Sequence, residues 1–398
     1  MSSTVGTTTG LYATSYTFQH KCFYHNGRFW VFYFNGTNIV WRTSTDNVSW
    51  SDETVFTSSS HGYYFTLYFD GTYAHCAYSD ADAYPYPALF YRRGIPSGDG
   101  TISWTDEQTA VAAVSNQWYV DLSITVDSVG RAVIAYWHCT LTDNYAKVTL
   151  NSSTDGSWST AGGFPVSMLT TSAATSLSVV PLTSEKWYVT YAGEGGTVKG
   201  RLYNESLGDE ETASSSNISQ EEAHCLVSSG DDVLLVFLKE TSYDIVFVKR
   251  TYGVGWGDEV AVKASAISSA YPVLSAADSG DLYCFWASSP TQHHIYYKKY
   301  SGGSWDVVAT DWIDESTDNL TGLATFNRLT VFSKQYGSSM GVAYMTKPSS
   351  PYNVRFNYLP LEAGDGADGV RIELNPALQR IKRGYLARIE YALRRIVI

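Results

Sequence analysis

The fold is decided by residues 39–50, which read IVWRTSTDNVSW: an alternating apolar run, a cation, a polar turn and then a tryptophan. The same order recurs at 89–104 (LFYRRGIPSGDGTISW), 146–158 (AKVTLNSSTDGSW), 198–207 (VKGRLYNESL), 245–256 (IVFVKRTYGVGW) and 295–305 (IYYKKYSGGSW). The copies end at 50, 104, 158, 207, 256 and 305, so their separation is 54 or 49 residues. A repeat of about 50 residues with several short strands is typical of β-propellers.

The number of blades follows from the number of repeats. In the fifth repeat, three further strands are predicted over 223–227, 232–238 and 244–251, with a Gly/Asp hairpin turn at 228–231. A seventh copy begins at 352–358 (YNVRFNY) and lacks an outer strand, which residues 11–16 (LYATSY) are expected to supply. We therefore predict an all-β, seven-bladed β-propeller over residues 1–361, with six or eight blades as alternatives.

The composition changes after residue 361. Residues 362–370 (EAGDGADGV) predict a flexible acidic linker, and residues 371–398 carry a net charge of +5 in a chain whose total is −12. Asn375 followed by Pro376 is typical of a helix start. Apolar side chains then recur every three or four residues, which predicts an amphipathic α-helix. They are Leu374, Leu378, Ile381, Tyr385, Ile389, Leu393 and Ile396. We expect this tail to dock on protein, either on its own ring or on another subunit of an assembly, with an acidic lipid surface and nucleic acid as the alternatives.

Composition excludes several classes of protein. With 44% hydrophobic and 15% aromatic residues, the chain is neither disordered nor a coiled-coil rod. Its N-terminus has no apolar segment typical of a signal peptide, and no apolar run approaches the roughly 18 residues of a membrane helix. The acidic body argues against nucleic acid binding on the ring.

The cysteines and the common catalytic motifs give little sign of a cofactor. Five widely spaced cysteines form no CxxC pair, which predicts free thiols in the core. Their histidine neighbours, as in His75–Cys76, leave a metal site as the alternative. Phosphate-binding loops, GxSxG and HExxH are absent from the sequence. We predict no metal and no cofactor.

Two of the repeated turns resemble a known family. Residues 153–158 (STDGSW) and 44–50 (STDNVSW) look like the Asp-box turns, or BNR repeats, of sialidase-like propellers. In that family the pattern is Ser-x-Asp-x-Gly-x-Thr/Ser-Trp, and the aspartate stabilises a turn between the two outer strands. Here one box is a residue short, the other lacks the glycine, and later copies lack the aspartate. The resemblance implies the propeller architecture and carries no activity with it.

Candidate ligand-binding residues fall on the loops that join the second strand to the third in each blade. Strand order places these loops on one face of the ring, where aromatic rings can stack on sugars and carboxylates can accept their hydroxyls. The candidates are Asp80, Asp82, Tyr84, Tyr86, Asp143, Tyr145, Glu194, Glu240, Tyr243, Asp244, His293 and His294. Solvated loops, and Ca²⁺ bound by Asp80 and Asp82, are the alternatives. A catalytic acid/base pair is a further alternative, but no spacing in the sequence singles out a pair, and we predict no catalytic residue.

These features predict a structural protein that also binds a ligand. The Ser-, Thr-, Tyr- and Trp-rich, Lys-poor composition resembles that of phage and other virion proteins. We expect a non-catalytic propeller that decorates a capsid or tail or binds host glycans in attachment, as part of an oligomer anchored by residues 371–398. A sialidase-like glycoside hydrolase or lyase is one alternative; an intracellular protein-interaction scaffold is the other. The expected location is the virion, or the cytoplasm if the protein is cellular.

Overall fold

The computed structural model describes residues 2–58, 64–79, 88–168, 176–193, 196–219, 223–320 and 329–361. They form seven antiparallel sheets that follow one another around a ring, so the prediction of an all-β, seven-bladed β-propeller is confirmed. The predicted linker and helix of residues 362–398 lie outside the described residues.

The first four blades follow in chain order after β1 (Ser3–Thr8), which belongs to the last blade. Blade 1 contains β2 (Cys22–His25), β3 (Arg28–Phe34), β4 (Asn38–Ser44) and β5 (Thr54–Ser58). Blade 2 contains β6 (Phe65–Phe69), β7 (Ala74–Tyr78), β8 (Leu89–Pro96), β9 (Ile102–Trp104) and β10 (Gln108–Val111). Blade 3 contains β11 (Gln117–Val126), β12 (Ala132–Thr140), β13 (Asn144–Leu150) and β14 (Val166–Ser167). Blade 4 contains β15 (Ser176–Pro181), β16 (Trp187–Ala192), β17 (Thr197–Asn204), β18 (Ser206–Leu207) and β19 (Glu211–Asn217).

The remaining blades complete the ring. Blade 5 contains β20 (His224–Ser229), β21 (Asp232–Leu238), β22 (Ile245–Thr251), β23 (Gly255–Trp256) and β24 (Val260–Lys263). Blade 6 contains β25 (Val273–Ala276), β26 (Leu282–Ala287), β27 (His294–Ser301), β28 (Ser304–Trp305) and β29 (Thr310–Asp314). Blade 7 contains β30 (Thr330–Val331), β31 (Ser339–Thr346) and β32 (Tyr352–Pro360), with β1 as its outer strand.

The core lies between the blades, where the faces of adjacent sheets meet. Second strands carry some of the largest side chains that are fully buried, among them Trp30, Trp187 and Trp286. Aromatic rings also bridge neighbouring blades, as where Phe23 of β2 stacks on Phe69 of β6 with centroids 4.6 Å apart. Sheets whose two faces are both covered explain the near-continuous apolar runs in the sequence.

The N-terminal strand closes the ring. β1 pairs antiparallel with β32, from Ser3 opposite Phe356 to Thr8 opposite Tyr352, so the last sheet is built from both ends of the described chain. The expectation that residues 11–16 supply this strand is wrong, because they form turns.

Residues 9–21 instead cross from β1 to β2 and fill one end of the axial channel. Thr17 Oγ1 donates to the carbonyl of His224 at 2.9 Å, and Gln19 Nε2 donates to that of Leu122 at 3.1 Å. His20 Nδ1 lies 2.9 Å from the carbonyl oxygen of Val331. Blades 3, 5 and 7 therefore share one plug, which holds their inner strands together.

The five cysteines are free and buried, as expected from their spacing. Burial raises the pKa of each thiol above its ordinary value, so the neutral thiol is the stable form. They act as small apolar side chains of the core.

Candidate functional site

Part of the predicted loop-face site lies outside the described residues: Asp80, Asp82, Tyr84, Tyr86 and Glu194. The other candidates lie on the second-to-third-strand loops of blades 3, 5 and 6 or at the strand ends beside them. None of these lines any of the cavities described below. The prediction of a binding site on this face stays a prediction.

Local hydrogen bonds hold the acidic candidates of blades 3 and 5. The Asp143 carboxylate accepts from Thr142 Oγ1 at 2.8 Å, and the Asp143 backbone N–H donates to Thr140 Oγ1 at 2.9 Å. The Asp244 carboxylate accepts from the Ser265 backbone N–H at 2.7 Å and from the Ser242 hydroxyl. These bonds, that of Ser265 most strongly, lower the pKa of Asp244. Both carboxylates therefore accept hydrogen bonds that shape their loops.

The remaining candidates are held by neighbours in a similar way. Glu240 accepts from Asn217 Nδ2 at 3.2 Å, and the Tyr145 ring lies 6.3 Å from that of His138. His293 Nδ1 lies 3.1 Å from the Leu320 backbone nitrogen, and His294 lies between the carboxylates of Asp311 and Asp314. Tyr243 is exposed.

A cation on the third strand belongs to a repeated triad inside the blade. In blade 2, the Tyr78 hydroxyl donates to Glu107 at 2.5 Å while Arg92 Nε donates to the Thr105 carbonyl. Tyr33, Glu53 and Arg42 occupy the same places in blade 1, and Tyr191, Glu210 and Arg201 in blade 4. Burial raises the pKa of each tyrosine, so the hydroxyl keeps its proton and donates it to the carboxylate.

These triads separate the repeated arginines into different blades. A sialidase-like site requires three arginines on one substrate carboxylate, whereas Arg42, Arg92 and Arg201 lie on the third strands of three different blades. The arginines at this repeat position therefore serve blade packing.

Arg250 departs from the repeat and faces the neighbouring blade. In blade 2, Arg92 lies two residues before the residue that pairs with the tryptophan at the end of the repeat. In blade 5, Arg250 itself pairs with that tryptophan, Trp256. Its guanidinium reaches Glu211 on the outer strand of blade 4, with Nε–Oε2 at 2.6 Å and Nη2–Oε1 at 2.7 Å. This two-pronged bond raises the pKa of Arg250.

Tyr188 and Trp256 complete the set of side chains at this seam. The Trp256 indole N–H donates to the Tyr188 hydroxyl at 3.0 Å, and that hydroxyl lies 3.2 Å from Glu211 Oε2. The guanidinium lies 5.0 Å from the centre of the Tyr188 ring. Carboxylate, guanidinium, hydroxyl and indole thus converge between blades 4 and 5.

An open cavity of about 500 Å³ lies over these groups. It is lined by Glu211, Thr212, Arg250, Val254, Trp256 and the glycines at 253 and 255, and we call it the seam pocket. Both glycines have positive φ, a conformation that residues with a side chain rarely adopt, so these two positions of the turn add no side-chain atoms to the pocket. Sequence reasoning missed the pocket because Glu211 lies 39 residues from its partner.

A second cavity, of about 430 Å³, opens on the axis at the face opposite the plug. Tyr68, Asp70, Tyr73 and Asp127 are among its lining residues. Both carboxylates are already engaged: Asp70 with His75 Nε2 at 3.0 Å and two backbone N–H groups, Asp127 with Arg131 Nε at 2.7 Å. These acids build the hairpin turns rather than offering free ligands.

Two negative findings apply to the described part of the chain. It contains no group of three or more His, Cys, Asp or Glu side chains able to hold a metal ion. In the same residues, no helix is long and apolar enough to cross a membrane.

Comparisons with known proteins establish the fold. No family model matches the chain, and neither does any curated protein. Among solved structures, the BP39L lectin from Burkholderia pseudomallei matches with a TM-score of 0.61 and 10% identity, over 87% of this chain and 100% of that chain. Polysaccharide lyase Uly1 gives a TM-score of 0.52 and 10% identity, over 86% of this chain and 90% of that one.

A mutant of AofleA from Arthrobotrys oligospora gives a TM-score of 0.50 and 13% identity, over 75% of this chain and 83% of that one. At such identities the likeness shows a common β-propeller architecture and transfers no activity.

Proposed function

We propose that this propeller is a carbohydrate-binding protein and that the seam pocket is one of its glycan sites. The observation that carries the proposal is the convergence of Glu211, Arg250 and Trp256 around an open cavity. Sugar hydroxyls donate to carboxylates and accept from guanidinium groups, and the apolar faces of sugar rings pack on aromatic side chains. The lectin among the structural neighbours supports this class of ligand.

The pocket favours binding over cleavage. Hydrolysis of glycosidic bonds commonly uses two carboxylates about 5–9.5 Å apart, one of them acting as an acid. Of the residues lining the seam pocket, only Glu211 carries a carboxylate, and Arg250 Nε already binds it at 2.6 Å. A lyase such as Uly1 shares the architecture, so the release of shortened products must be measured beside binding.

The virion setting is the finer part of the proposal. The Ser-, Thr-, Tyr- and Trp-rich composition supports it. On this proposal the ring binds host glycans, with the loop face as a second contact surface. An intracellular interaction scaffold is the alternative.

The test is a glycan array followed by titration calorimetry of each glycan that binds. Glu211→Gln keeps the size of the side chain and removes its charge. Because hydrogen bonds to charged groups contribute about 1.5–3 kcal/mol, we expect affinity to fall by roughly tenfold or more. Glu210→Gln is the matched control, since Glu210 binds Tyr191 and Lys199 and does not line the seam pocket.

The outcomes separate the hypotheses. Weaker binding in the Glu211 variant alone supports the seam pocket. Equal binding by both variants and the wild type rejects this site, and a failure of every glycan on the array to bind rejects the carbohydrate-binding proposal. Shortened glycan products would replace it with an enzyme.

A further inference from the structure

Valine side chains project into solvent from two turns at the edge of the ring. Val48 lies on the turn at residues 45–53 of blade 1 and is 75% exposed. Val307 and Val308, on the turn at residues 302–309 of blade 6, are 93% and 77% exposed. We call these two segments the valine turns. All three valines lie on the face of the ring that carries the turns after the third strands.

The conformation of both turns holds the valines outward. In blade 1, Asp46 Oδ1 accepts from the backbone N–H groups of Val48 and Ser49 at 2.8 and 2.9 Å, which fixes the turn beneath Val48. In blade 6, Trp305 packs inward on Tyr300 with ring centroids 5.2 Å apart, and the chain then turns out into the two valines.

The valine turns are also acidic. Asp46 and Asp52 lie exposed in the first, and Asp306 lies exposed in the second. Neither segment contains a lysine or an arginine. A surface that combines exposed valines with exposed carboxylates suits a basic, amphipathic partner.

The chain leaves the ring between these two turns. Blade 7 lies between blades 6 and 1, and its third strand, β32, ends at Pro360 on the face that carries the valine turns. The N-terminal residues contact both neighbouring blades: Ser3 Oγ accepts from Trp50 Nε1 of blade 1 at 2.8 Å, and Ser2 Oγ donates to Glu315 beside blade 6 at 2.8 Å. Residues 362–398 therefore continue from a blade that lies between the two turns, on the same face of the ring.

We propose that residues 371–398 dock on the valine turns of their own ring. The segment carries seven cations against two acids, and its apolar residues recur at helical spacing. Residues 362–370 can span at most about 30 Å, enough to reach turns on the two adjacent blades. Docking would bury the valines against the apolar stripe and place the cations near Asp46, Asp52 and Asp306. This inference does not depend on glycan binding.

Hydrogen exchange of the full chain, followed by mass spectrometry of peptides from residues 371–398, tests the proposal. The perturbation is the triple variant Val48→Lys, Val307→Lys, Val308→Lys, which removes apolar surface and reverses the local charge on exposed side chains. We expect exchange of the tail to be roughly tenfold faster in this variant, and faster in wild type at high salt.

A control variant places the same charge on the other face of the ring. Val114, Leu141 and Ile267 are exposed on loops between strands of that face, and their replacement by lysine should leave tail exchange unchanged.

Three results would overturn the proposal. Tail amides that exchange at the unprotected rate in wild type exclude docking. Protection that survives the valine-turn variant shows a helix formed without the ring. Protection that rises with protein concentration shows docking on a second copy instead.

Discussion

Glu315 links the last two blades through a buried carboxylate, so its charge should be one of the main contributions to ring closure. It is 3% exposed and directly follows β29 of blade 6. Its carboxylate accepts from Tyr344 Oη at 2.5 Å and from Arg355 Nη2 at 3.2 Å, both in blade 7. Ser2, next to the closing strand β1, donates to it as well.

Glu315→Gln keeps the shape and removes the charge. The amide oxygen can still accept from Tyr344, but the new amide N–H₂ group opposes the donors of Arg355. Loss of one partner of a buried ion pair costs about 3–5 kcal/mol. Arg355 is 18% exposed and can turn toward Asp318 at 3.8 Å, so we expect the lower end, about 3 kcal/mol.

Urea unfolding followed by tryptophan fluorescence measures this effect as a lower midpoint at unchanged slope. Asp318→Asn is the control: its carboxylate is 36% exposed, and surface pairs contribute about 0–1 kcal/mol. A midpoint for the Glu315 variant equal to that of the control would refute the reasoning that this carboxylate holds blades 6 and 7 together.

Three further predictions follow from burial. Burial lowers the pKa of His20 to about 4, whereas the unfolded chain titrates near 6.5. As the pH falls from 6.5 to 4, only the unfolded state binds a proton at this histidine, so the free energy of unfolding should fall by at most about 3 kcal/mol. The fall should be smaller in His20→Asn, and urea midpoints measured across this pH range test both statements. Glu107→Gln should leave Tyr78 without its charged acceptor and lower the free energy of unfolding by about 1–2 kcal/mol. Asp106→Asn, at the neighbouring residue, should leave the free energy of unfolding unchanged. Equal urea midpoints for the two variants would contradict a stabilising role of the Tyr78–Glu107 bond. The five thiols should resist a thiol reagent in the native state and react in denaturant, whereas fast native labelling would contradict their burial.

The repeat carried most of the fold because turns and strand alternation are local signals. Glycine, asparagine and aspartate at the hairpins permit positive φ, as at Asn26 and Gly27, and they mark each strand end within a few residues. Seven copies of such a signal outweigh the degeneracy of any one copy. Blade count could therefore be predicted from the sequence alone.

The closing strand was predicted at the wrong place for a physical reason. A strand that closes a sheet and a segment that plugs a channel both bury apolar side chains, so residues 11–16 and Ser3–Thr8 could not be separated by hydropathy. Ala13 and Tyr16 belong to the plug and are buried in it. In β1, Val5 and Thr8 are buried while the residues between them are partly exposed, as expected of an outer strand.

The seam pocket could not be predicted, because it depends on which residues face each other across two blades. One signal was nonetheless present in the sequence. In the copies of the repeat that end at 50, 104, 207 and 256, a glutamate stands three residues after the last residue of the copy. These glutamates are Glu53, Glu107, Glu210 and Glu259. In blades 1, 2 and 4 this glutamate accepts from the tyrosine of the triad.

In blade 5 a departure from the repeat accompanies the seam pocket. The glutamate of blade 5, Glu259, pairs with Lys239 at 3.0 Å, and Val248 occupies the usual place of the cation. The cation stands two residues further along the strand, at Arg250, where it binds Glu211 of blade 4. This ion pair spans two sheets and faces an open cavity. In a ring of similar blades, the residues that break the pattern are for this reason better candidates for ligand binding than those that repeat it.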